Sequence, residues 1–123
     1  MILIDTSVWV DHFRRPIADV ERLARAVRIV QHPFVTGELA VGDLKYPEAT
    51  LAFLSQDLTR ARVATEAEFL GFLANEKLAA TGIGFVDVHL LAACRLMPGT
   101  TLWSRDKRLG RWAQAVGVDW RGD

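Results

Sequence analysis

A three-layer α/β/α domain on a central, mainly parallel sheet is the fold class this sequence predicts, and three observations predict it. Met1-Ile2-Leu3-Ile4 is an unbroken apolar run that stops on Asp5, as expected of a strand buried on both faces. A second strand–acid motif, Thr100-Thr101-Leu102-Trp103-Ser104-Arg105-Asp106, recurs late in the chain. Between them, apolar residues return mostly at helical spacing, divided by caps and breakers.

Taken in order, Ser7 to Phe13 reads as a short helix with Val8, Trp9 and Phe13 apolar, broken by Arg14-Arg15-Pro16. Ile17, Val20, Leu23, Ala24 and Val27 then recur at helical spacing opposite Asp19, Arg22 and Arg25, which predicts a helix over 17–27. A short extended piece follows at Ile29 and Val30. Phe34 to Leu44 reads as helix with Thr36 as a cap, weakened by Gly37 and Gly42. Pro47 opens the next helix, which carries Leu51, Phe53 and Leu54. Arg62-Val63-Ala64 suits a short strand, and Thr65-Glu66-Ala67-Glu68 is a capping box ahead of Phe69, Leu70, Phe72 and Leu73. Thr81 to Gly84 is a loop, and Phe85 to Met97 is a nearly all-apolar helix stopped by Pro98-Gly99. After the second motif, Leu109, Trp112, Ala113 and Val116 mark a last amphipathic helix ended by Gly117. Val118-Asp119-Trp120 suits an edge strand.

Length and composition agree with one domain over 1–123. Half of the 123 residues are apolar, enough for one core. No run approaches the roughly 18 apolar residues that span a membrane, and the N-terminal run, cut by Asp5, lacks the basic flank of a signal peptide. Cys94 is the single cysteine, which excludes an internal disulfide and fits a reducing, cytoplasmic setting. A formal net charge of zero argues against bulk attraction to nucleic acid or membrane. Arginine nevertheless gathers locally, at Arg14-Arg15, at Arg22, Arg25 and Arg28, at Arg60 and Arg62, and around Asp106. Its planar fork suits phosphate.

Open α/β sheets place ligands beyond the carboxyl ends of their strands, where Asp5 and Asp106 stand. Asp87 joins them because its helical neighbours Leu91 and Cys94 are apolar, so its face should be buried, and Glu38 similarly begins an apolar stretch. An acid in the first turn of a helix also suits the helix dipole, and both readings stay open for Asp87 and Glu38. If the four converge, the cost is large. Two unit charges about 4 Å apart repel by ~1 kcal/mol in water and ~4 kcal/mol at an effective dielectric near 20. Four carboxylates therefore survive together only with shifted pKa values or bound cations. All-oxygen ligands favour Mg²⁺ or Mn²⁺, and no Cys/His spacing suggests zinc. Mg²⁺ held by a few carboxylates leaves room for water and a phosphate, which suits phosphodiester hydrolysis.

Four segments match a known family in order and spacing: Ile2-Leu3-Ile4-Asp5-Thr6-Ser7-Val8-Trp9, Thr36-Gly37-Glu38-Leu39, Gly84-Phe85-Val86-Asp87-Val88-His89-Leu90-Leu91-Ala92 and Leu102-Trp103-Ser104-Arg105-Asp106-Lys107. In these the chain resembles the PIN-domain ribonucleases, in particular the VapC-type toxins of toxin–antitoxin pairs, over essentially its whole length. Ser104 is a minor departure, since the family often has threonine there, and it keeps the hydroxyl. The resemblance implies a PIN-like fold in which Asp5, Asp87 and Asp106 bind Mg²⁺ directly or through water and Glu38 completes the quartet through water. Thr6, Ser7 and Ser104 would orient these groups by hydrogen bonds. The implied reaction is endonucleolytic RNA cleavage by an activated water, leaving 5′-phosphate and 3′-hydroxyl ends, on transfer or ribosomal RNA. It further implies a VapB-type antitoxin that inhibits the enzyme, and a homodimer. Arg105, Lys107 and Arg108, beside Asp106, are candidates to hold flanking phosphates.

Other residues and classes fit less well. His89 points away from Asp87 on a helix and reads as structural, His12 and His32 lack partners at catalytic spacing, and Cys94 reads as a small buried apolar residue. Asp11 and Asp43 read as surface or capping acids. Trp9, Phe13, Leu23 and Val27 read as core, with part of the set free to line an antitoxin groove. A haloacid-type phosphatase needs an acid two residues after the first, where this chain has Ser7. A receiver domain needs an adjacent N-terminal acid pair, which is absent. A non-catalytic PIN-like module that binds RNA or protein is the remaining alternative, and the presence of all four acids disfavours it.

Overall fold

The computed structural model describes residues 1–122; Asp123, the last residue of the predicted domain, lies outside them. Four strands form one parallel sheet: β1 (Ile2–Ile4), β2 (Ile29–Gln31), β3 (Thr59–Arg60) and β4 (Thr101–Trp103). Their order is β3-β2-β1-β4. Seven helices connect and cover them: α1 (Thr6–Arg14), α2 (Ala18–Arg25), α3 (Pro33–Ala40), α4 (Pro47–Ala52), α5 (Glu66–Asn75), α6 (Phe85–Leu96) and α7 (Lys107–Val116). The layers and the parallel sheet are those the alternation of segments predicts.

The order of the strands decides where a ligand can bind. From β1 the chain runs outward through β2 to β3, then returns across the sheet to β4 on the other side of β1. Ile2, Leu3 and Ile4 pair with Thr101, Leu102 and Trp103. The direction of winding therefore switches between β1 and β4, and the crevice beyond their carboxyl ends is where such sheets hold ligands. Ile2, Leu3, Ile4, Ile29, Val30 and Leu102 are buried from both faces, and Trp9, Leu23, Leu91 and Leu109 cover them.

Several local expectations are corrected. The third strand lies at Thr59–Arg60, not at 62–64, and the pairing ends where Ala61 N donates to Gln31 O at 3.0 Å. Arg62 has left the sheet; its N–H reaches Met97 Sδ and its guanidinium pairs with Glu68. Helix α3 begins at Pro33 and stops at Ala40, four residues short of Leu44. Its cap is His32, whose Nδ1 accepts the Phe34 N–H at 3.0 Å, while Thr36 sits a turn inside. Pro47 does open α4, but Phe53–Asp57 continues as a π-helical turn. The capping box at Thr65 is present in both directions, through Glu68 N to Thr65 Oγ1 and Thr65 N to Glu68 Oε1. The edge strand expected at 118–120 is reduced to a single parallel bridge between Leu102 and Asp119. Two residues expected in the core are outside it: Phe13 is 39% exposed and Val27 71%. Among the described residues no helix is long and apolar enough to cross a membrane.

One aromatic cluster sets the start of α6. His89 is buried among Phe34, Phe69 and Phe85, with ring centroids 4.9, 4.6 and 4.7 Å away. Burial holds its imidazole below the ordinary histidine pKa, as it does for His32, lowered to about 4. Both rings are structural and uncharged at neutral pH.

Candidate active site

Asp5 is the residue at which β1 becomes α1. Its extended backbone lets the carboxylate fold back over the helix start, where Oδ1 accepts the Ser7 N–H at 2.7 Å and Ser7 Oγ at 2.5 Å. Ser104, just past β4, donates its Oγ to Asp5 Oδ2 at 2.6 Å. Asp106 repeats the device on the neighbouring strand: its Oδ1 caps α7, accepting from Arg108 N at 2.8 Å and Leu109 N at 3.1 Å. β1 and β4 are thus each followed by an acid whose orientation is fixed by the helix it starts, and the helix dipole favours its charge. The Oδ2 of Asp106 makes no hydrogen bond among the described residues.

Glu38 and Asp87 arrive from helices on either side. Thr6 Oγ1 donates to Glu38 Oε1 at 2.7 Å, joining the first turn of α1 to α3. Asp87 lies in the first turn of α6. Asp5, Thr6, Ser7, Glu38, Asp87, Leu90 and Asp106 line one open cavity of about 280 Å³ at the β1/β4 switch point. Convergence leaves an electrostatic trace on Asp87. Its carboxyl is raised from 3.8 to about 6, first by burial, then by the charges of Asp5, Asp106 and Glu38, with Arg108 opposing. All four predicted acids therefore meet in the cavity with Thr6 and Ser7, and Ser104 joins them through its hydrogen bond to Asp5.

The predicted basic residues divide. Arg105 donates its backbone N–H to Ser7 Oγ at 2.9 Å, but its guanidinium turns to Asp11, Nη1 to Oδ2 at 3.0 Å. Arg108 lies over the Trp112 ring, 5.2 Å from its centroid, and reaches the 82–84 loop. Gly82 there has φ +88°, which favours glycine, and a Cβ would stand 2.9 Å from Arg108 Nη2, displacing the flexible guanidinium. Lys107 is exposed. Asp43 lies away from the acids, in a separate groove with Phe13 and Tyr46. His12 is structural, its Nδ1 accepting Ile17 N at 2.9 Å across the Arg14–Pro16 break. Cys94 is buried, its thiol pushed up to about 12, and is inert.

A polar support behind the site has no counterpart in the sequence reading. Trp9 Nε1 donates to Gln31 Oε1 at 3.0 Å, and Gln31 Nε2 donates to Thr36 Oγ1 at 3.0 Å. This buried relay couples α1, β2 and α3, and so fixes Thr6 against Glu38. A glutamine in a strand buried on both faces is the signal that points to it.

The donor set is entirely oxygen and so suits Mg²⁺ or Mn²⁺. Among the described residues no three His, Cys, Asp or Glu side chains close tightly enough to grip a cation alone. Mg²⁺ keeps several waters and takes one or two carboxylates directly. Burial is the main cause of the elevated Asp87 pKa, and the smaller part owed to Asp5, Asp106 and Glu38 is what a cation would relieve.

Comparison with known proteins agrees with this geometry. The family model described as PIN domain matches residues 2–114. Two proteins called Ribonuclease VapC32, from Mycobacterium tuberculosis strains CDC 1551 / Oshkosh and ATCC 25618 / H37Rv, are each 39% identical over 118 residues. The alignment covers 96% of this chain and 94% of each relative.

Proposed function

The chain belongs to the PIN-domain family, and from that premise we propose that it is a Mg²⁺-dependent endoribonuclease, the toxin of a type II toxin–antitoxin pair. The observation that carries the reading is the meeting of Asp5, Glu38, Asp87 and Asp106 in one cavity at the β1/β4 switch point. Asp5, Asp87 and Asp106 would hold the cation, with Glu38 engaged through water; Mn²⁺ is a plausible substitute on the same donors. When bound, the cation supplies an activated water near neutral pH and neutralises charge on the phosphate.

The chain's own groups do the positioning. Ser7 and Ser104 hold Asp5 in one orientation, Thr6 holds Glu38, and the α7 amides hold Asp106. Arg108, stacked over Trp112 and acting electrostatically on Asp87, would meet a phosphate oxygen, with Lys107 beside it. The substrate is RNA, of the transfer or ribosomal class, and the products carry 5′-phosphate and 3′-hydroxyl ends. A VapB-type antitoxin is the inhibitor, and a cytoplasmic, homodimeric single domain over 1–123 is the working form.

Asp5→Asn tests the reading. The variant should melt as a folded protein yet cleave no labelled RNA in Mg²⁺, where the parent cleaves. Retained cleavage would remove Asp5 from the site, and failure of the parent to cleave any RNA in Mg²⁺ would favour a binding module instead.

A further inference from the structure

We infer that Arg14, Arg15 and Arg105 form a binding site for the backbone phosphates of RNA a short distance along the strand from the scissile bond. This rests on the ribonuclease reading above and extends it to residues that reading does not use. Asp11, Arg14, Arg15, Pro16, Ile17 and Arg105 line an open cleft of about 470 Å³. The cleft and the acidic cavity are both lined by residues of α1 and of the segment after β4. Ser7, Asp11 and Arg14 stand at four- and seven-residue spacing on one stripe of α1, spanning about 10 Å at 1.5 Å per residue, and Arg15 follows as the extended residue that ends the helix. Arg105 lies along that stripe, its N–H on Ser7 Oγ at 2.9 Å and its guanidinium on Asp11 Oδ2 at 3.0 Å. Ser7 in turn holds Asp5.

Charge says what the cleft takes. A cavity of four acids repels phosphate, and the chain has no net charge to draw RNA in, so affinity must come from local cations. Arg22, Arg62, Arg95 and Arg121 each have a carboxylate partner. Arg14 and Arg15 have none among the described residues, and both are exposed. The Arg105–Asp11 pair is itself nearly half exposed (45% and 43%), so an entering phosphate can displace Asp11. Arginine forks bind phosphate bidentately. Arg14 also complements the carboxyl end of α1, but that role needs neither Arg15 nor a cleft. An acidic peptide would satisfy the same charges; continuity with the phosphodiester site favours RNA.

The test is fluorescence anisotropy of a short labelled single-stranded RNA with the full chain in EDTA, across a KCl series. Arg14→Ala/Arg15→Ala should weaken binding about tenfold at low salt and flatten the log Kd against log salt slope by about 1.4, two phosphates at 0.7 each. Arg14→Lys/Arg15→Lys should keep most of that slope. Arg15→Ala alone, which leaves the neighbouring groove that Arg14 also lines intact, should move in the same direction. In Mg²⁺ the double alanine variant should raise KM while kcat stays within about twofold, and its thermal melt should match the parent's within a few degrees. An unchanged salt slope overturns the site, as does a fall in kcat with KM unchanged. Loss of polyglutamate binding with RNA affinity intact assigns the cleft to an acidic peptide and also overturns it. Failure of the parent to bind RNA at low salt overturns it too. If the double variant loses RNA binding while the parent cleaves nothing in Mg²⁺, the cleft stands and the ribonuclease reading falls.

Discussion

Ser104 donates its hydroxyl to Asp5 Oδ2 at 2.6 Å and accepts the Asp106 N–H at 3.0 Å, so one side chain sets both strand-end acids. Ninety-nine residues separate Ser104 from Asp5 in sequence, and the β1/β4 pairing brings them side by side. A carboxylate held this way presents a fixed free lone pair to a ligand, without the entropy of ordering it on binding.

Ser104→Ala should therefore lower Mg²⁺-dependent RNA cleavage by about 10- to 100-fold, the usual cost of losing a group that orients a metal ligand. Ser104→Thr should restore most of the rate, since the hydroxyl returns. Initial rates across a Mg²⁺ titration check both. A wild-type rate in Ser104→Ala would mean that Ser7 and the α1 amides alone suffice to hold Asp5.

Asp87 makes a pH prediction with a definite sign. Its carboxyl titrates near 6 in the folded chain against an ordinary 3.8, so between about pH 4 and 6 the folded state binds more protons than the unfolded one. Metal-free stability should fall as pH rises through that window and stay low above it, by at most about 3 kcal/mol since the site is partly open to water. Asp87→Asn should accordingly melt higher than the parent at pH 7 in EDTA, with the gap closing toward pH 4. Mg²⁺ should narrow the pH 7 gap by stabilising the parent alone. Differential scanning calorimetry at the two pH values decides it; a gap independent of pH would remove the electrostatic cause.

The Trp9–Gln31–Thr36 relay should be worth more than its small size suggests. Gln31→Met keeps the volume but leaves Trp9 Nε1–H, in a fully buried ring, without an acceptor. Orphaning a buried donor costs about 1–3 kcal/mol. Urea denaturation should show a lower midpoint with an unchanged slope. An unshifted midpoint would mean that water replaces the glutamine.

Legibility followed pattern length and burial. The β1 and β4 motifs, the α5 capping box and the α6 run are each written in contiguous residues, and each stands where the sequence puts it. The four acids were legible for the same reason: each opens or closes an apolar segment. The strand at Thr59–Arg60 was not, because both side chains are exposed at the sheet edge and no alternation marks them. The roles of Asp5 and Asp106 as helix caps required the helix boundaries first. Arg105 reads from the sequence as a candidate for flanking phosphates, but the partner its guanidinium takes, Asp11, is 94 residues away and was not legible there. Periodicity misplaced Val27 because α2 ends at Arg25, after which the helical spacing no longer describes the chain.

Val27 carries a cost that a substitution can remove. Its φ is +55°, in the left-handed region, just past the end of α2, where Val27 N donates to Ala24 O and Arg28 N to Leu23 O. That turn is how the chain reverses from α2 into β2. Helices often end this way on glycine or asparagine, whereas a β-branched side chain there is strained, by about 1–2 kcal/mol. Val27 is 71% exposed, so little burial offsets the strain. Val27→Asn should stabilise the protein by about 1 kcal/mol, several degrees in Tm for a domain of this size. Val27→Gly should gain less, because glycine adds freedom to the unfolded chain while relieving the same strain. Thermal melts of the three proteins at one concentration measure the order. If the parent melts highest, the valine side chain makes contacts in solution that outweigh its backbone strain, and this exposed position is covered.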